Sequence, residues 1–172
     1  MRGRVVAGTC GSLGSLTALH RAAAEARARD AELWVVLAWQ APLGGPASRT
    51  AAGGTPLLAG CRDAAVERLR DVLAAAFGDG PPGVTLAGLT VRGAPGAALV
   101  DTVRDTGDLL VVGTGSRTPL LRALRPSVSR YCLAHAPCPV LAVPPSPLQA
   151  DLEAVHRRIA WRRPLHAGDL AG

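Results

Sequence analysis

Two short apolar runs limit what this chain can fold into. Leu109-Leu110-Val111-Val112-Gly113 and Val140-Leu141-Ala142-Val143 are separated by a Gly/Ser/Arg loop and one helical stretch. Parallel strands need a crossover of that length, whereas antiparallel neighbours are joined by tight hairpins. Gly113 closes the first run, so the loop after it opens at the carboxyl end of a strand. Open parallel sheets bind their ligands there.

The same alternation extends back through the chain. Arg4–Gly8 is expected to be a strand, followed by an Ala-rich helix over about residues 16–29 with Leu16, Leu19, Ala23 and Ala26 on one face. Ser12 and Ser15 are candidate N-caps. Leu33–Trp39 is continuously apolar, as a strand covered on both faces should be. Residues 40–56 are rich in Gly, Pro and Ala and predict a surface loop. A helix is predicted over about 58–77, with Val66, Leu69, Leu73 and Phe77 at helical spacing. A strand follows at 84–91, then a helix from Pro95 to about Thr106, which proline suits at its first turn. The last crossover is a helix at 127–136. Strands alternating with helices throughout predict a parallel sheet wound on both faces.

Composition narrows the function classes. At 172 residues one domain is expected, and 48% hydrophobic with 19% charged residues is the balance of a globular protein. Only 3% of residues are aromatic, so the core falls to Ala, Val and Leu. The net charge is +6, and all 19 basic residues are arginine, which permits an anionic ligand without demanding one. Cys10, Cys61, Cys132 and Cys138 show no CxxC pair of the zinc or thioredoxin type. With no secretory signal pattern and no run long enough to span a bilayer, a reducing cytoplasmic setting is expected and no membrane association.

The domain is expected to occupy residues 1–147, with a basic amphipathic tail at 148–172. In the tail Leu148, Leu152, Val155 and Ile159 form one stripe of a short helix, flanked by Arg157, Arg158, Arg162 and Arg163. A protein partner or this domain itself is the expected contact of that stripe, in preference to nucleic acid.

Four segments together resemble the universal stress protein family: Val5–Ser12, Ala31–Trp39, Val91–Pro95, and Asp108–Gly113 with Ser127–Ser129 and Leu133–Leu141. The resemblance covers about residues 4–144. It implies an α/β fold with an open five-stranded parallel sheet and helices on both faces, Rossmann-like and similar to the adenine nucleotide alpha hydrolases. It also implies a homodimer pairing through the fifth strand, Val140, Leu141, Ala142 and Val143. Many members bind ATP, typically without a catalytic constellation, and the protein is expected not to be an enzyme.

The family's phosphate pattern runs Gly, two residues, Gly, nine residues, Gly, then Ser or Thr. Gly113 and Ser127 match it, while Ser116 and Pro126 stand where glycine is usual. Pro126 has no N–H to give a phosphate but opens a helix well, leaving the Ser127 and Val128 amides for an anion. The family's aspartate after strand one is Cys10 here, a poor ligand for Mg²⁺. Its usual valine at the end of strand two is Ala38. The resemblance thus implies a nucleotide site lined by Gly8, Thr9, Cys10, Ala38, Gly113, Gly115, Ser116, Ser127 and Val128, with ATP binding weakened or lost. Arg117, Arg122 and Arg125 offer compensating charge.

Two alternatives stand beside that reading. One is an ATP- or AMP-binding stress protein that keeps nucleotide through the 113–128 loop, with ATP and Mg²⁺ as the ligand. The other is a redox-responsive thiol at Cys10, whose place between a strand and a helix favours the thiolate. His20, His135, His156 and His166 have no metal-binding spacing, so no metal site is expected. His135 is expected to satisfy carbonyls at a helix end.

Overall fold

A computed structural model describes residues 3–41, 55–78, 80, 82–114 and 127–147. The elements are β1 (Arg4–Thr9), α1 (Leu13–Ala28), β2 (Glu32–Trp39), α2 (Thr55–Phe77), β3 (Leu86–Arg92), α3 (Pro95–Thr102), β4 (Leu109–Gly113), α4 (Val128–His135) and β5 (Val140–Val143). All strand pairs are parallel, in the order β3-β2-β1-β4-β5. The chain therefore winds outward from β1 to β3, then crosses back to lay β4 on the other side of β1. The expected five-stranded parallel α/β sheet is the observed one.

Period-two alternation along the central strands sorts the core into two layers. Val5 and Ala7 of β1, with Leu33, Val35 and Leu37 of β2, pack beneath α1 and α2. Val6, Val36, Leu110 and Val112 pack on the other face with Leu99 of α3 and Cys132 of α4. Ala18, Ala22 and Ala26 of α1 are fully buried, and such small side chains let the helix lie close on the sheet. On α2 the buried stripe is Ala65, Leu69, Val72 and Ala76, with Leu73 and Phe77 on its flank. That stripe is turned slightly from the one predicted through Val66.

Several boundaries differ from the sequence reading. Helix α1 begins at Leu13, not near 16, because Ser12 is the N-cap and accepts from the Ser15 N–H at 3.3 Å. Ser15 is buried inside the first turn, and its hydroxyl donates to the Ser12 carbonyl at 2.8 Å. Helix α2 starts at Thr55, within the 40–56 span predicted as a loop, and residues 42–54 of that span lie outside the described residues. Helix α3 ends at Thr102, not Thr106, because the Arg104 N–H leaves the helical direction to donate to Asp108 Oδ2 at 2.9 Å. Strand β3 begins at Leu86, two residues late, after Gly83 turns the chain at φ 76°.

Asp108 also anchors the amino edge of the sheet. Its carboxylate accepts from the Arg4 guanidinium at 2.5 Å, and both residues are buried. The Arg4 guanidinium lies 5.0 Å from the Trp34 ring centroid, a cation–π contact that covers its apolar face. Among the described residues no helix is long and apolar enough to cross a membrane. The tail at 148–172 lies outside the described residues.

Candidate functional site

Because β4 returns beside β1, the connections leaving these two strands diverge to opposite faces of the sheet. A crevice opens at such a topological switch point. A cavity of about 530 Å³ lies there. It is large enough for a nucleotide-sized ligand.

The cavity has a polar side made by two helix starts. Gly11, at φ 76°, turns the chain sharply from β1 into the Ser12 cap. A side chain at that φ is strained, which is why glycine serves there. The turn brings Thr9, Cys10, Ser12, Gly14 and Ser15 to the cavity wall. Thr9 Oγ1 donates to Ser15 Oγ at 3.2 Å and accepts from the Gly11 N–H at 3.4 Å. Opposite, Ser127 caps α4 and lines the cavity with Val128, Ser129 and Arg130. The Ser127 and Ser129 hydroxyls are 2.8 Å apart. First-turn amides of a helix have no intrahelical acceptor, so α1 and α4 both present donors and partial positive charge to the cavity.

The other side is apolar. Val36, Ala38, Pro95, Leu99 and Val112 form a wall suited to a flat ring, with Leu133 on the rim. Hydroxyls and helix amides at one end and an apolar wall at the other match a phosphate ester carrying a heterocycle.

Of the residues named from the sequence, Gly8, Thr9, Cys10, Ala38, Gly113, Ser127 and Val128 line this one cavity. Gly115, Ser116 and the arginines at 117, 122 and 125 lie outside the described residues. Ser12, Ser15, Ser129 and Arg130 were not expected to contribute. Their place follows from helix starts meeting across the sheet edge, although the capping signal at Ser12 was available.

Cys10 is exposed and its thiol donates to Ser12 Oγ at 3.3 Å. Desolvation pushes its pKa up, but hydrogen bonds from Ser12 and Ser15 and the nearby Arg68 charge together outweigh it, and the net shift is downward. Arg68 also donates to the Cys10 carbonyl at 2.8 Å, tying α2 to the β1–α1 turn. Cys132 and Cys138 are buried in the core layer beneath α3 and α4. Burial, with the neighbouring Cys138, pushes the Cys132 thiol up to about 11. His135 Nδ1 bonds the Tyr131 carbonyl at 2.9 Å, the helix-end role expected of it.

No Asp, Glu or His side chain lines the cavity among the described residues, and no three metal-ligating residues cluster there. The donor set does not fit a divalent cation, since Mg²⁺ is held by hard carboxylate oxygens.

The sheet, with a crevice at its topological switch point, defines a doubly wound parallel α/β protein, and comparison with known proteins agrees. The family model for the universal stress protein family matches residues 1–144. The chain belongs to the universal stress protein family. It is similar to a universal stress protein solved in complex with cAMP, at 30% identity and TM-score 0.54, over 84% of this chain and 98% of that one. It shares its fold with UspA from Lactobacillus plantarum, at 20% identity and TM-score 0.54, over 83% and 99% of the two chains. The hypothetical protein MJ0577 has the same fold at 18% identity and TM-score 0.64, over 85% and 98%. The search of curated proteins found no match.

Proposed function

We propose that this protein is an adenine-nucleotide-binding stress protein that acts by binding and signalling, with weakened affinity for ATP and no turnover. The observation carrying this reading is the single cavity into which two helix starts and an apolar wall converge. The 30%-identical relative holding cAMP supports an adenine nucleotide as the ligand class. The absence of any carboxylate or imidazole from the described lining supports binding over catalysis, because nothing there serves as general base. Cys10 in place of aspartate is the reason for weakened ATP affinity.

Dimerisation through β5 belongs to the same reading. β5 is an edge strand, and Val140, Leu141 and Ala142 are only partly buried. An exposed edge offers unpaired backbone groups to a second copy. Four free thiols agree with a reducing cytoplasmic location.

Titration with a fluorescent AMP derivative tests the reading. Saturable binding is expected in wild type, and Ala38→Phe, which fills the ring end of the cavity, should abolish it without changing the melting temperature. ATP with Mg²⁺ should bind far more weakly, with Kd nearer about 1 mM than 1 μM. Wild-type protein that takes up no adenine nucleotide contradicts the reading.

A second reading, a redox-responsive thiol, is favoured by one observation: Cys10 is exposed on the cavity wall with its thiolate stabilised.

A further inference from the structure

We infer that the cavity takes its phosphate ester without a divalent metal and prefers a single phosphate over a triphosphate. The inference rests on the reading of the cavity as a nucleotide site and adds what kind of nucleotide it selects.

The first ground is the distribution of carboxylates over the whole sheet. Within residues 1–147, the acidic residues that lie in connections are Asp30, Asp79, Asp105 and Asp108. Asp30, Asp105 and Asp108 belong to connections that enter strands, at the amino edge and away from the cavity, and Asp79 falls in sequence between α2 and β3. The connections that leave strands contain none: residues 10–12, 40–54, 93–94, 114–127 and 144–147 hold no Asp or Glu. Among the described residues, the carboxyl edge therefore offers no Asp or Glu side chain to a Mg²⁺ ion. Cys10 stands where the family resemblance implies aspartate, and a thiol is a soft donor suited to other metals.

The second ground is what replaces the metal. The hydroxyls of Thr9, Ser12, Ser127 and Ser129 reach the cavity together with the starts of α1 and α4. Such donors satisfy phosphate oxygens directly, whereas they would be redundant around a hydrated cation. Each helix start is worth about half a positive charge, and Arg130 contributes a full one at the rim. Among the described residues that is roughly two positive charges, close to the charge of one phosphate monoester at neutral pH. A triphosphate without its metal carries roughly twice as much negative charge, more than these described groups offset.

Calorimetry on the full chain tests this, with AMP, cAMP and ATP each titrated in excess MgCl₂ and in EDTA. The better of AMP and cAMP should bind with affinities within about twofold in the two buffers, and ATP at least about tenfold more weakly. Cys10→Asp should make ATP binding respond to MgCl₂ by about tenfold and should weaken AMP binding in EDTA. The inference is overturned if MgCl₂ raises the wild-type affinity for ATP about tenfold or more, or if ATP in EDTA equals AMP. In those cases the nucleotide reading survives. If none of the three nucleotides binds in either buffer, that reading falls and the inference falls with it.

Discussion

Gly113 at the end of β4 lies against Gly14 in the first turn of α1, so closely that a Cβ on Gly113 would stand 3.0 Å from the Gly14 carbonyl oxygen. That approach brings the α1 start to the mouth of β4 and so defines one wall of the cavity. The neighbour is backbone and cannot swing aside. Gly113→Ala should therefore cost about 1–3 kcal/mol of stability by overpacking, read as a lowered denaturation midpoint. It should also weaken nucleotide binding, because α1 must shift to accept the methyl group. An unchanged midpoint would mean that the contact is slack.

Asp108 holds the opposite edge of the sheet. Burial raises its pKa, but the bonds from Arg4 and from the Arg104 amide prevail and hold it below the usual carboxylate range. A carboxylate depressed in the folded state stabilises the fold above its unfolded pKa, and that contribution fades as pH falls through its folded value. Asp108→Asn leaves the buried Arg4 cation without its partner and should cost about 3–5 kcal/mol near neutral pH. The gap between variant and wild type should begin to narrow as pH falls below the ordinary aspartate value of about 3.9, and it closes only below the lower folded pKa of Asp108. Melting temperatures measured from about pH 2 to 7 check both statements. A gap independent of pH would contradict the ion-pair assignment.

Cys10 should be the first thiol to react with iodoacetamide, and Cys132 the last. The first is exposed with a lowered pKa, and the second is buried and pushed up to about 11. Mass spectrometry of labelled peptides against pH should show half-maximal Cys10 alkylation below the pH of an ordinary thiol. Saturating AMP should slow it, since Cys10 lines the cavity. Labelling indifferent to AMP would place the nucleotide elsewhere.

The backbone of β5 indicates how to test self-association. The Pro139 and Val143 carbonyls accept from Leu110 and Thr114 of the β4 side. By strand alternation, the N–H groups of Val140 and Ala142 face outward. Ala142→Pro removes one outward donor without touching the internal ladder. Light scattering should give twice the 17.6 kDa chain mass for wild type and a monomer for the variant. A wild-type monomer contradicts pairing through β5.

Strands were legible where apolar runs were unbroken, as in Leu33–Trp39 and Leu109–Gly113, because burial on both faces leaves little room for polar residues. Boundaries were misplaced where tertiary contacts decide them. Gly14 and Ser15 have the chemistry of a loop, yet both are buried in α1 because β4 packs against them. Asp108 ends α3 early through a bond to Arg104 that spacing does not reveal, and it pairs with Arg4 across 104 positions of sequence. At the site, the residues that follow strand ends could be named from the chain. Ser129 and Arg130 could not, because only the docking of α3 and α4 brings that helix start to the cavity.

Hydrogen exchange with and without saturating AMP tests the central claim most directly, because it reports where the nucleotide sits. The account predicts slowed exchange in the β1–α1 turn, residues 8–15, and at the start of α4, residues 127–130. Protection confined to the amino edge, around Ala26–Glu32 and Gly83–Thr85, or no protection at all, would contradict it.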